Sequence, residues 1–178
     1  MKLAEFLLAM EHIAPKELAM DFDNVGLLIG TERTEIKRVL LALDCTTATA
    51  QEAIDWGADL LLTHHPLFLS GIKRILPDDP ATAGAYLLLR NGIAHYAAHT
   101  NLDAAPGGVN DCLAEALGIL DAIPLPPDQL GRIGNRSAET PASLGAFAAF
   151  VADRLKTAVR ICGAQDAKVS RVALIGGG

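Results

Sequence analysis

The chain has 178 residues, of which 51% are hydrophobic, 20% are charged and only 4% are aromatic. These proportions exclude a disordered chain and predict a globular protein with one good core or two small domains. The net charge of -6 argues against a general nucleic-acid binder, because neutralising phosphates requires clustered Lys and Arg, and the sequence contains no such cluster.

The cysteines and the N-terminal segment indicate the cellular compartment of the protein. Cys45, Cys112 and Cys162 lie far apart without CxxC spacing, which favours a reducing environment, and we interpret all three as small buried hydrophobic residues. The apolar segment from Lys2 to Ile13 is interrupted by two glutamates and is too short to span a bilayer. We therefore expect a soluble, cytoplasmic protein that does not bind membranes.

Helical and strand-like segments alternate along the first two thirds of the chain. In order, we predict a helix at 2–14, an apolar run at 25–29, a strand at 39–43, a helix from Thr46 or Thr47 to Gly57, a strand from Leu60, a helix at 81–90, a strand at 93–98 and a helix at 109–117. This alternation predicts an α/β fold with a mostly parallel sheet flanked by helices.

The stretch from Ile119 to Thr140 is rich in proline and glycine, which is typical of a domain boundary or a long surface connection. We accordingly predict a first α/β unit at 1–122 and the start of a second unit at 123–178.

The second unit is expected to contain a helix at 142–155 and strands near 158–161 and 169–175. The last strand runs into three glycines, and such a strand normally continues into a loop and a helix. We therefore expect this unit to be incomplete.

Polar residues follow the ends of three predicted strands. Asp44 follows one strand, His64 and His65 follow another, and the segment His99 to Asp103 follows the third. Ligands of parallel α/β sheets bind beyond the carboxyl ends of the strands. These residues therefore share one site if the three strands lie side by side, which the spacing along the chain does not reveal.

These residue types favour a metal site. Imidazole nitrogen and carboxylate oxygen are ligands for zinc, iron and manganese, and His64, His65 and Asp103 supply the three protein ligands typical of a catalytic mononuclear site. Asp103 can also join two ions through its two oxygens. His99 can ligate, orient a water molecule or transfer a proton.

Structural alternatives remain open for several of these residues. Asp44 can cap the following helix or support a ligand, and Asp103 can be a turn residue before the segment 104–108. His95 is expected to be packed or on the surface, and His12 to be solvated. The glycines at 107–108 are a plain loop or a backbone nest for an anion.

At these residues the chain resembles the Nif-three-like family of dinuclear-metal proteins, often labelled GTP cyclohydrolase I type 2 homologues. The matching stretches are Asp-Asn-Val-Gly-Leu at 23–27, Leu-Thr-His-His-Pro-Leu-Phe at 62–68, Ala-His-Thr-Asn-Leu-Asp at 98–103, Gly-Gly-Val-Asn-Asp at 107–111 and Gly-Arg-Ile-Gly at 131–134. The resemblance covers essentially the whole chain.

The resemblance implies two similar α/β units, with mostly parallel or mixed sheets, and assembly into a homohexameric ring whose metal sites face the interior. It implies that His64 and His65 bind different ions, that Asp103 bridges them and that His99 lies beside them. The family pattern continues beyond the glycine-rich loop to a further His and Glu ligand. Since this sequence ends at Gly178, the resemblance implies a shortened chain with an incomplete two-metal site.

Two functions of different classes follow. The first is a metal-dependent hydrolase in which an activated water attacks a nucleotide-like substrate, by resemblance GTP, with His99 assisting proton transfer. The alternative is a non-catalytic metal-binding ring that acts as a carrier or regulatory scaffold. A plain structural interpretation, in which the two adjacent histidines are merely packed, is the third.

Overall fold

The structure is a computed structural model that describes residues 1–31 and 35–177. Contacts divide the chain into two compact units, Met1–Ala105 and Pro106–Gly178. The first unit contains the helices α1 (Leu3–Ile13), α2 (Thr47–Trp56), α3 (Ala83–Arg90) and α4 (Thr100–Ala104), and the strands β1 (Gly26–Ile29), β2 (Val39–Ala42), β3 (Leu60–Thr63) and β4 (Ala94–Ala97).

The four strands of the first unit form one mixed sheet in the order β1-β4-β3-β2. The strands β2, β3 and β4 are parallel, and β1 pairs with β4 in the antiparallel direction. This arrangement agrees with the α/β fold that the alternation of elements predicts.

Helices cover both faces of this sheet. On one face, buried alanines of α2 and the α3 residue Leu88 pack against Leu61 of β3. On the other face, Phe6 and Met10 of α1 pack against Leu60 and Tyr96. Because successive strand residues point to opposite faces, the apolar run of β3 contributes to both cores.

Local sequence signals explain the bounds of α2. The side chain of Thr46 accepts a hydrogen bond from the Thr49 amide at 3.1 Å and so caps the first turn. At the other end, Gly57 adopts a left-handed conformation with φ 71°, and its amide donates to the carbonyl oxygen of Ile54. Glycine adopts this conformation without the steric cost of a Cβ atom, so the helix ends where the sequence predicts.

The second unit contains the helices α5 (Val109–Ala116) and α6 (Leu144–Leu155) and the strands β5 (Ile119–Pro124), β6 (Arg132–Arg136) and β7 (Arg171–Leu174). The strands form an antiparallel sheet in the order β5-β6-β7. In the hydrophobic core of this unit, Ala114 and Leu117, at the C-terminal end of α5, pack with Ile119 and Phe147.

The segment 119–140 is not a long connection, because it contains β5 and β6, which pair with each other. Its glycines serve this pairing: a Cβ atom at Gly134 would lie 2.5 Å from the carbonyl oxygen of Leu120. The contacts divide the chain between Ala105 and Pro106, earlier than the sequence-based boundary after residue 122, because α5 packs against β5, β6 and β7.

Two further sequence-based predictions differ from the structure. Residues 158–161 form no strand, and Val159 and Ile161 are exposed rather than packed in a core. Cys112 and Cys162 are also exposed, whereas Cys45 is half-buried, so the prediction of three buried cysteines is wrong for two of them. None of the helices in the described part of the chain combines the length and apolar character needed to cross a membrane.

Replacing Leu61 should strongly destabilise the protein, because its side chain is fully buried between the sheet and α2–α3. We expect Leu61→Ala to lower the free energy of unfolding by about 2–5 kcal/mol, measured by urea denaturation. The matched control is Leu69→Ala in the segment that follows β3, where the residue is 57% exposed, with an expected change within about 0.5 kcal/mol. Equal effects of the two substitutions would contradict the described sheet.

Candidate metal centre

The parallel strands of the first unit end in register at one edge of the sheet. Ala42 of β2 pairs with Thr63 of β3, which in turn pairs with Ala97 of β4. Backbone pairing continues past the strand ends, since the amide of His65 donates to the carbonyl oxygen of Leu43 at 2.9 Å. The residues that follow the three strands therefore emerge side by side.

Three imidazole rings converge at this edge. The ring centroids of His64 and His65 lie 5.1 Å apart, those of His64 and His99 5.2 Å apart, and those of His65 and His99 5.6 Å apart. One ring nitrogen from each residue lies within 4.8 Å of the other two. Such a cluster is compatible with binding of a divalent metal ion.

The hydrogen bonds of the three rings determine which nitrogen faces the cluster. The Nδ1 atom of His64 lies 2.9 Å from the carbonyl oxygen of Ala98, which can only accept, so this Nδ1 carries the proton. The Nδ1 atom of His65 lies 2.7 Å from a carboxylate oxygen of Asp44, and that of His99 lies 3.0 Å from both carboxylate oxygens of Asp23. All three rings thus keep the lone pair of Nε2 for a ligand.

Asp103 lies beside the imidazoles. It belongs to the short helix α4 rather than to a turn, is 3% exposed, and places its Oδ1 atom 3.8 Å from Nε2 of His64. Burial raises the pKa of the Asp103 carboxyl, although the neighbouring imidazoles of His64 and His99 act in the opposite direction. A cation at this position would favour the ionised carboxylate.

Asp23 is a further buried carboxylate at the site, to which residue type and spacing alone assign no role. Besides His99, its donors are the amide and hydroxyl of Thr100 and the amide of Asn24. Burial alone raises the pKa of Asp23, but the hydrogen bonds from Thr100, His99 and Asn24 outweigh it and lower the pKa below its usual value. The only sequence signal was its place in the stretch 23–27.

The remaining polar residues separate into clear structural roles. The cap of α2 is Thr46, whereas the Asp44 side chain contacts His65. His12 is exposed on α1. His95 is fully buried, its Nε2 donates to the Thr63 hydroxyl at 2.8 Å, and that hydroxyl donates to the carbonyl oxygen of His65 at 2.6 Å. His95 therefore supports the backbone of a cluster residue from inside the sheet.

In the second unit, the glycine pair at 107–108 precedes α5. The amide of Gly107 donates to the carboxylate of Asp111 at 2.7 Å, and Asp111 also pairs with the buried Arg132. The Asp111 carboxylate therefore already accepts the hydrogen bond of the Gly107 amide that a bound anion would need.

The whole chain, residues 1–178, matches the model of the Duf34/NIF3 (NGG1p interacting factor 3) family, and it belongs to that family. Among curated relatives, a protein of Streptomyces coelicolor named "GTP cyclohydrolase 1 type 2 homolog" is 37% identical over 185 residues, which cover 99% of this chain and 65% of that protein. A protein of the same name from Clostridium perfringens is 42% identical over 139 residues, which cover 75% of this chain and 53% of that protein.

Solved structures show the same fold. The crystal structure of a hypothetical protein of Staphylococcus aureus superposes with a TM-score of 0.87 at 29% identity and covers 99% of this chain and 72% of that one. The structure of a Bacillus cereus protein related to NIF3 superposes with a TM-score of 0.86 at 27% identity and covers 100% of this chain and 77% of that one. The chain spans about half to two thirds of the two curated relatives' length.

The buried His95 should make stability depend on pH. Burial lowers the pKa of His95 to about 4 from its usual value of about 6.5, so the unfolded chain takes up this proton first as the pH falls. The contribution of neutral His95 to the free energy of unfolding is complete above about pH 6.5. It should be lost progressively as the pH falls towards about 4, by up to about 3 kcal/mol. Urea denaturation at several pH values should show a steeper loss for the native chain than for His95→Gln. Parallel pH profiles of the two proteins would contradict this.

Proposed function

We propose that this protein binds divalent metal ions at the His64, His65 and Asp103 side chains and acts as a metal-dependent hydrolase on a nucleotide-like substrate. The observation that carries the proposal is the shared orientation of three imidazoles, each with an oxygen acceptor at Nδ1 and each with Nε2 left as a ligand atom. Packed histidines without a ligand have no need of this common arrangement.

The donor set fits such an ion in chemistry and in spacing. Ligand atoms about 2.0–2.2 Å from a tetrahedral ion lie roughly 3.5 Å from one another. The Asp103 Oδ1 and His64 Nε2 atoms are 3.8 Å apart, which is close to this spacing. Two imidazoles and a carboxylate suit zinc, iron and manganese. We further propose that each subunit would hold two ions, with Asp103 as a ligand to both.

His99 is the proposed proton-transfer group. A divalent ion supplies Lewis-acid chemistry at such a site and makes water a stronger acid. His99 can accept a proton at Nε2, and the Asp23 carboxylate at its Nδ1 stabilises the resulting imidazolium. The names of the curated relatives support GTP as the first substrate to test.

Removal of His64 should weaken both metal binding and turnover. We expect His64→Ala to lower the affinity for Co²⁺ or Zn²⁺ at least about tenfold, because one imidazole of the cluster is lost. Isothermal titration measures the affinity, and chromatographic GTP consumption with added Mn²⁺ or Zn²⁺ measures turnover. The matched control is His12→Ala, which removes an exposed histidine from α1 and should behave like the native chain.

The outcomes separate the proposed functions. Equal metal affinity of the native chain and His64→Ala would reject the site. Tight metal binding that depends on His64, without turnover of any nucleotide in a panel, would instead identify a carrier or regulatory scaffold.

We also propose that the protein is cytoplasmic and assembles into a homohexamer. Leu8, Leu41 and Leu43 are exposed apolar side chains of the first unit, which supports a surface that is covered in an assembly.

Light scattering coupled to size-exclusion chromatography should give a mass six times that of the 18.7 kDa chain. The expected physical cause is burial of the exposed leucines, so Leu41→Glu should shift the mass towards the monomer. A monomeric native chain across the micromolar range would contradict assembly by this chain.

A further inference from the structure

We propose that Asp23 is the positioning residue of the site: it holds the proton on Nδ1 of His99 and thereby aims the Nε2 lone pair at the cluster. The role rests on the proposed metal function, because it concerns the same imidazole, but it is a separate property of the protein. Asp23 acts through His99 and needs no contact with substrate or metal.

The contact geometry is symmetric. Both carboxylate oxygens of Asp23 lie 3.0 Å from Nδ1 of His99. The Asp23 side chain is 0% exposed and that of His99 is 19% exposed, so the pair is largely shielded from water on the carboxylate side. A charge-assisted hydrogen bond is stronger when water does not compete for it.

Among the described residues, the other hydrogen-bond partners of Asp23 are all donors. The Thr100 amide donates at 3.0 Å, the Asn24 amide at 2.7 Å, and the Thr100 hydroxyl also donates. A protonated acid would have to direct its own hydrogen into this group of donors, whereas a carboxylate accepts from each of them. Asp23 is therefore an acceptor towards His99, and the proton lies on Nδ1.

The backbone around Asp23 is held independently of His99. The amide of Met20 donates to the Thr100 hydroxyl at 3.0 Å, and the side-chain amide of Asn24 donates to the carbonyl oxygen of Phe68 at 2.6 Å. The segment 20–24 is thus hydrogen-bonded both to the residues that follow His65 and to the residues that follow His99. A carboxylate fixed on both sides cannot follow a rotating imidazole, so it orients the ring.

The Asp44–His65 pair provides an internal comparison. Its oxygen–nitrogen distance of 2.7 Å is shorter, but the two side chains are 52% and 43% exposed. Water competes for hydrogen bonds and screens charge at such a position. The two carboxylates make the same kind of contact, and burial predicts that only Asp23 strongly controls its histidine.

The test uses Asp23→Asn and Asp44→Asn in the full chain. Nitrogen-15 NMR of the metal-free protein reports the tautomer of each imidazole. We expect Nδ1–H on His99 in the native chain and a shift towards Nε2–H in Asp23→Asn, since the amide can present a donor to Nδ1. GTP turnover with added Mn²⁺ should be about 10–100 fold lower for Asp23→Asn, because His99 is the proposed proton-transfer group, and should fall less for Asp44→Asn.

A further variant separates positioning from stability. Thr100→Val removes one donor from Asp23 but keeps the carboxylate beside His99, so it should lower stability and leave the His99 tautomer unchanged. An Nε2–H tautomer of His99 in the native metal-free chain would overturn the proposal even if Asp23→Asn fails to fold. An unchanged tautomer in Asp23→Asn would overturn it as well. Because the tautomer is read without metal, failure of metal binding would reject the proposed function alone.

Discussion

The in-register parallel pairing of β2, β3 and β4 is the constraint on which the candidate site depends. It places the ends of three strands at one edge of the sheet, although the residues that follow them are separated by 20 to 55 positions in the chain. Parallel strands must be covered on both faces, and α1 on one side with α2 and α3 on the other meet this requirement. The cores that stabilise the sheet therefore also set the positions of the imidazoles.

The two buried carboxylates at this edge, Asp23 and Asp103, differ in the direction of their pKa shifts. Asp23 receives hydrogen bonds from backbone and side-chain donors, which lower its pKa despite burial. Asp103 lies beside imidazoles, and burial raises its pKa. The ionised form of Asp23 is thus stabilised by the fold itself, whereas that of Asp103 gains from a cation nearby. This difference fits a supporting role for the first and a ligand role for the second.

Much of the first unit follows from local signals. The capping threonine before α2, the glycine after it and the apolar runs of β2 to β4 predict their elements within a few residues. The second unit is predicted less well, because the prolines and glycines in the segment 119–140 are typical of a domain boundary or a long surface connection. These residues instead lie around and within β5 and β6, whose pairing depends on contacts between distant residues. Asp23 was missed as a functional residue for the same reason: its partner His99 is 76 positions away.

By itself, the sequence determined the kinds of ligand atoms, the α/β alternation and the family, because these depend on residue type and local order. It also determined that His64, His65 and the segment 99–103 follow apolar strands. Only the tertiary structure decided that these strands are neighbours, that all three Nδ1 atoms face oxygen acceptors and that Asp23 lies behind His99. The reason is physical: strand order and hydrogen-bond direction arise from packing between distant segments, which local periodicity does not encode.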